Sequence, residues 1–327
     1  MVSINTQLKM NFRRRSWLRF ALQIQGSVLP TVLPRAIICG VCGVLISVLA
    51  YLKLPVALPF LANLIPSIVL GLMLVFRTNT AYERFWEGRK LWGTLNNALR
   101  NLARQIWVAV PEKEPSDRQE KAAALYLLVA FAVAVKLHLR GETVNSELRT
   151  LLSYSNYQTL KMMNNPPLEI AFWIGDYLQQ QQRRGCLDIY QLAAMQKLLN
   201  EMVDVLGGCE RILRTPIPMA YAIHLRQLVL IYCLSLPFQI VESAGWWTGF
   251  LVTLISFALF GIEEIGVEIE NPFGRDANDL PLDAICATML RNLEDLMTLA
   301  PRAGLMPALE SAVEPSAMPI ESPHSGI

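Results

Sequence analysis

Four sets of residues in this chain could do chemistry, and their settings decide what each can do. Cys39 and Cys42 stand in "CGVC", the spacing of a redox dithiol. The pair falls inside an apolar run, with no charge or helix start to lower a thiol pKa, so it reads as two buried thiols. The three histidines, His138, His224 and His324, have no metal-ligand spacing. An acidic segment follows position 262, with Glu263, Glu264, Glu268, Glu270, Asp276, Asp279 and Asp283. Calcium needs several oxygens converging at about 2.3–2.6 Å. Arg275 interrupts this run, so helix caps and salt bridges to Arg89, Lys90 or Arg211 are expected in place of a metal site. No phosphate-binding glycine loop, dinucleotide fingerprint or nucleophile elbow occurs, so neither an enzyme nor a cofactor is expected. The fourth set is "FRTNTAYERFWEGRKLWG", 76–93. It follows about eighteen nearly uncharged residues without a break. It then brings in Arg77, Arg84, Arg89 and Lys90 among two tryptophans, a tyrosine and two phenylalanines.

These residues need elements to hold them, and composition bounds what the elements are. Of 327 residues, 53% are apolar, and the mean hydropathy is +0.34. That is too hydrophobic for an ordinary soluble domain. A net charge of +2 gives no electrostatic reason to bind nucleic acid. Six cysteines in a chain of this length do not make a disulfide framework. A helix crosses a bilayer with about 20 apolar residues, and four stretches qualify: 36–54, 58–76, 220–241 and 246–262. A fifth apolar run, 122–135, is shorter and charged at both flanks. It is read as a buried helix in a cytosolic bundle.

Lysines and arginines set the orientation. Lys9, Arg13, Arg14, Arg15, Arg19 and Arg35 precede the first span with no acidic residue among them, which places the N-terminus in the cytosol. The loops between spans one and two and between spans three and four carry no Lys or Arg, so both lie outside. The start is not a cleavable signal peptide. "NFRRRSWLRFALQI" reads as an amphipathic helix on the inner leaflet. This divides the chain into a basic interfacial N-terminus (1–35), two spans (36–76), a cytosolic helical region (77–219), two further spans (220–262), a cytosolic acidic segment with a helix (263–300) and a disordered tail (301–327). Both termini are cytosolic, and plasma membrane and thylakoid both fit as host.

Leu99, Leu102, Ile106 and Val110 recur at helical spacing, and a second amphipathic helix runs from 188 to about 206, ended by Gly207-Gly208. No strand alternation appears. The second span runs into its charged continuation with no turn signal, so the helix is expected to leave the bilayer and keep going. Tyr82, Phe85, Trp86 and Trp92 are then expected to pack on neighbouring helices. Pro66 is expected to kink the span. His224 and Arg226 sit early in the third span, where charge needs a partner; an acidic group of "GVEIE" is expected to supply it.

At this point the residues carry a resemblance. "FRTNTAYERFWEGRKLWG" resembles the segment after the pore helix of prokaryotic and plastid bestrophins. "GGCERILRTPIPMAYAIHLRQLVLIYCLSLPF", 207–238, is similar to the entry into their third span, and "IENPFGRDANDLPLD", 269–283, to their "NPFG" signature. The set covers most of the chain from about 36 to 297 in the family's order. It implies an all-α membrane protein: four membrane helices and a cytosolic helical bundle per subunit, five subunits around an axial pore, and a narrow hydrophobic neck on the second helix. It also implies a channel for chloride and related monovalent anions. A cation-permeable homologue and a non-conducting membrane scaffold are the alternatives, because a bacterial family member can favour cations. The expected partners are monovalent anions, membrane lipid and four further copies of the chain, with no nucleic acid. Animal members hold calcium with an acidic cluster, from which this chain departs at Arg275.

Residue roles follow the resemblance. Its spacing puts the neck at Leu61, Ile65 and Val69, with Met73 on the same stripe. Stacked apolar rings there would gate by dewetting. Leu64, Ile68 and Leu72 form a competing register, and Ser67 and Gly71 a small-residue pair for close helix contact. Arg77, repeated fivefold at the inner end of the pore helix, would attract anions; snorkelling to lipid phosphate is the alternative. A second, cytosolic aperture would fall at Leu192 or Ala193.

Overall fold

The structure is a computed structural model that describes residues 23–58 and 64–299. The amphipathic helix expected near the N-terminus, apart from Gln23 and Ile24, and the whole of the expected tail lie outside these residues. Every regular element among the described residues is helical. In chain order these are α1 (Leu29–Tyr51), α2 (Leu64–Ala109), α3 (Asp117–Leu139), α4 (Ser146–Leu151), α5 (Tyr154–Leu160), α6 (Pro166–Arg183), α7 (Ile189–Arg214), α8 (Met219–Ala244), α9 (Thr248–Glu268) and α10 (Leu282–Thr298).

α1, the first half of α2, α8 and α9 form an apolar-surfaced layer, and each is long and apolar enough to cross a membrane. The tightest pair is α1 with α9. A Cβ on Gly43 would lie 2.9 Å from Gly249 Cα, and one on Gly40 would overlap Thr253. In "CGVC" the glycine, with its neighbour Gly43, therefore carries the structural meaning: absent side chains let two backbones meet. Gly245, at φ +51°, turns the chain between α8 and α9 through a short 3₁₀ turn.

α2 has 46 residues, about 69 Å at 1.5 Å per residue. It runs from the apolar layer into a bundle with α3, α6, α7 and α10 without a break. Trp92, Leu95, Leu99, Leu102 and Ile106 are buried there. α3 also has the length and composition of a span. Its side chains from Leu128 to Leu137 are nonetheless all buried inside the chain, so protein already covers the surface that lipid would cover. Lys136, fully buried, is held by Glu147 at 2.7 Å and Asp283 at 2.8 Å.

Several sequence expectations are corrected. α1 starts at Leu29, because Pro30 sits at a helix start, where no N–H is needed. α7 does not end at Gly207-Gly208 but runs on to Arg214. Leu91 of α2 packs 3.0 Å from where a Gly208 Cβ would stand, so this glycine serves close helix approach and not a cap. Pro66 is the third described residue of α2, and the turn before it, where a kink would show, lies outside the described residues. Of the four aromatics expected to pack on neighbouring helices, Trp92 is buried within the chain and Phe85 partly so. Tyr82 and Trp86 are exposed on the side of α2 that no other described element covers.

Candidate ion pathway and the junction beneath it

One side of α2 is uncovered from its first described turn onward. Leu70, Leu74, Arg77, Ala81 and Trp92 point into the subunit; Ile65, Ile68, Val69, Leu72, Val75 and Phe76 do not. Both neck registers fall on the uncovered side. Ile65 and Val69 are 66% and 48% exposed, and Ile68 and Leu72 are 57% and 54% exposed. Leu61 lies outside the described residues, as does the side chain of Leu64. Met73 is partly buried against the apolar cluster of α1, α8 and α9. The opening of α2 therefore offers a continuous apolar surface about 100° or more wide, with no polar group until Asn79 and Thr80.

Further along, the same side becomes polar and basic. Arg89, Lys90, Arg100 and Arg104 are exposed, and none forms an ion pair among the described residues. Lys90 lies over the Trp86 ring at 5.9 Å. Of the nearby acids, Glu83 is exposed on this side, and Glu87 is held by Arg211 at 2.6 Å.

Arg77 is not on this side. The vestibule-facing position expected for it is corrected: its side chain is 2% exposed. It lies along Gly266 of α9, whose missing side chain leaves room for the guanidinium stem. Its Nη2 reaches Glu270 Oε2 at 3.4 Å, and Nε and Nη1 have no hydrogen-bond partner among the described residues. Arg84, two turns on and on the same helical side, completes the junction. It donates to the carbonyls of Ile212 (2.7 Å), Thr215 and Glu270 (3.1 Å from Nε). Those first two carbonyls close the end of α7, where backbone acceptors lack intrahelical donors. Glu270 Oε1 accepts from the Ile217 amide at 3.0 Å, and Tyr221 donates from α8 to the Met73 carbonyl at 2.9 Å. Two arginines and one glutamate thus tie α2, α7, α8 and α9 together where the apolar layer meets the bundle.

From the sequence Arg84 was only one of a set of basic residues, with no role assigned to it, and Tyr221 was not singled out. The seven-residue spacing of Arg77 and Arg84 was the available signal for the first. Arg226 does have an acidic partner, but it is Glu263 at 2.9 Å and not a residue of "GVEIE". His224 is exposed. The acidic segment is spent residue by residue: Glu264 on Arg35, Glu268 on Asn278, Asp283 on Lys136 and Arg140. None of these partners is Arg89, Lys90 or Arg211. Among the described residues no three acidic, histidine or cysteine side chains converge.

"NPFG" is a docking turn. Phe273 is buried, its ring 3.1 Å from where a Gly88 Cβ would stand, so α2 must carry glycine there for the turn to seat. Arg140 donates to the Phe273 and Gly274 carbonyls at 3.2 and 3.1 Å. A Cβ on Gly274 would meet Asp279 Oδ2 at 2.5 Å. In α7, Leu192 is buried in the bundle core and so is corrected as an aperture residue. Ala193 is exposed one position on, beyond a capping box in which Asp188 and Gln191 exchange hydrogen bonds of 2.8 and 3.1 Å.

The arrangement has known counterparts. The family model for bacterial and fungal bestrophin proteins matches residues 9–295. A voltage-dependent anion channel-forming protein of Nostoc is 63% identical over 292 residues, covering 89% of this chain and 95% of its own length. One from Escherichia coli K12 is 34% identical over 279 residues, covering 84% and 89%. The crystal structure of a bestrophin homologue from Klebsiella pneumoniae, carrying a point mutation, superposes with a TM-score of 0.75 at 32% identity, over 84% of this chain and all of that one. A 46-residue helix with one bare side, an arginine–glutamate junction beneath it and a seated "NPFG" turn are thus features of a chain that belongs to the bacterial/fungal bestrophin family.

Proposed function

We propose that the protein is a channel for chloride and other monovalent anions, formed by five copies around an axis lined by the uncovered side of α2. The observation that carries the reading is that bare side: apolar for its first turns, then polar with four exposed cations that form no ion pair among the described residues. An exposed apolar stripe continuous with an exposed basic one fits a wall of which one part is a dewetting neck and the other a wet, anion-attracting chamber. The names of the relatives support anions over cations. Arg89, Lys90, Arg100 and Arg104, and not the paired Arg77, concentrate the anions. The neck is formed by Leu61, Ile65 and Val69 and the inner aperture by Ala193. α1, the start of α2, α8 and α9 span the membrane, and the α3–α7 and α10 bundle and both termini lie in the cytosol, in line with the basic residues that precede α1.

Reconstitution in planar bilayers tests this with one measurement. A reversal potential near the chloride equilibrium potential in a salt gradient is expected. A value near the cation potential would make the protein a cation channel. Absence of conductance from an assembly of confirmed size would make it a scaffold.

A further inference from the structure

A second charged site lies in the apolar layer, with no residue of α2 in its lining. α1, α8 and α9 enclose a groove of about 340 Å³, within the size range of small-ligand sites. Its mouth holds Arg35, Arg226 and Glu263; its walls are apolar, with Ile38, Leu230 and Leu234 along its length. Arg226, Leu230 and Leu234 recur every four residues on α8, so the groove runs about 12 Å along the helix from the charged mouth into the apolar layer.

The charges at the mouth are arranged unevenly. Arg35 pairs with Glu264 at 2.8 Å and Arg226 with Glu263 at 2.9 Å, each through one nitrogen. The carboxylates are tucked away, 15% and 3% exposed, while the arginine side chains stand 48% and 56% exposed. The quartet is neutral in sum, yet it presents its positive side outward. The remaining guanidinium N–H groups of both arginines have no acceptor among the described residues. A guanidinium with free donors at the edge of hydrocarbon needs an anionic oxygen acceptor, and planar forks suit phosphate. A membrane supplies one molecule that joins such a phosphate to an apolar chain.

We propose that this groove binds one anionic phospholipid, its headgroup phosphate between Arg35 and Arg226 and one acyl chain along Ile38, Leu230 and Leu234. The inference requires only that α1, α8 and α9 span a bilayer. It is independent of which ion the protein conducts, and its readout is not conductance. With the N-terminus in the cytosol, the lipid belongs to the inner leaflet.

The test uses the full chain, purified in detergent and stripped of lipid. Dioleoyl phosphatidylglycerol, dioleoyl phosphatidylcholine and inorganic phosphate are titrated in turn, with binding followed by native mass spectrometry and thermal unfolding. Saturable uptake of phosphatidylglycerol per subunit is expected, about tenfold or more tighter than phosphatidylcholine, with no stabilisation by phosphate alone. Arg35→Gln should weaken phosphatidylglycerol about tenfold and spare phosphatidylcholine. Leu230→Trp fills the groove while keeping every charge and should weaken both lipids. The paired change Arg226→Gln with Glu263→Gln keeps the buried contact neutral and should lose the headgroup preference even if Arg226→Gln alone misfolds. Equal affinity for the two lipids, phosphatidylglycerol binding unchanged in Leu230→Trp, or stabilisation by phosphate alone would overturn the proposal. So would a Leu230→Trp protein whose only change is loss of subunits from the assembly, since the groove would then be covered by a neighbouring copy.

Discussion

Arg77→Gln separates a structural arginine from an electrostatic one. The variant removes the 3.4 Å contact with Glu270 and should lower stability by about 1–3 kcal/mol, read by thermal unfolding in detergent. Its reversal potential in a salt gradient should stay at the wild-type value, because the side chain is buried between α2 and α9. A shift toward cations would return Arg77 to the pore. Asp117 gives a second residue-scale prediction, on pH. The hydrogen-bonded Arg184 guanidinium, helped by the amides of Glu114 and Lys113, holds its carboxyl at about 2. An unfolded aspartate titrates near about 3.9. The folded value is depressed, so the contribution is fully present above about pH 4 and is lost as pH falls through about 2. The stability gap between wild type and Asp117→Asn should therefore be flat above about pH 4 and close below it. A gap that persists unchanged to the acid end would show that the carboxylate charge is not what stabilises the start of α3.

At the scale of elements, α1 and α9 are held by the lack of side chains. A Cβ on Gly43 would stand 2.9 Å from backbone, which cannot swing aside. Gly43→Ala should cost about 1–3 kcal/mol through overpacking. Cys42→Ala, on the partly exposed side of the same turn, should change stability by about 0.5 kcal/mol or less. Comparable losses in the two variants would mean that the thiol, and not the glycine, is what the motif preserves. In the bundle, burial pushes the Cys209 and Cys286 thiols up to about 12.

For the whole molecule, no described element of one chain covers the bare side of α2, so in the proposed five-copy assembly the neighbouring copies decide what that side does. In detergent the protein should run as a single species of about five times the 36.7 kDa chain mass. A monomer as the sole stable species would refute the axial pore. Within the assembly, replacing Ile65 and Val69 with Ala should raise conductance or open probability, while Ile68 and Leu72 replaced together should change it little. The reverse outcome would rotate the neck by about one helix side. Neutralising Lys90, Arg100 and Arg104 should reduce anion current at low salt and much less at high salt, where the Debye length falls from about 10 Å at 0.1 M to about 3 Å at 1 M.

Local physics was enough for much of this molecule. Runs of about 20 apolar residues mark candidate membrane helices, though α3 meets the same length and composition and is set apart by its burial. The absence of any turn signal at 76–77 committed α2 to continue, and the periodicity of Leu99, Leu102 and Ile106 named its buried side in the bundle. Three motifs in order pointed to the family. The sequence could not say which side of α2 near Arg77 faces inward, because helical periodicity is uninformative where almost every residue is apolar. Only the approach of Gly266 and Glu270, about 190 positions away in the chain, decided that Arg77 is buried. Gly207-Gly208 looked like a helix stop because glycine is weak in helices, until packing against Leu91 showed what the gap is for. Leu192 and Ala193 were inseparable as neighbours in one apolar stretch. The contact of α7 with the bundle sent one inward and left the other free, since a helix turns adjacent residues about 100° apart.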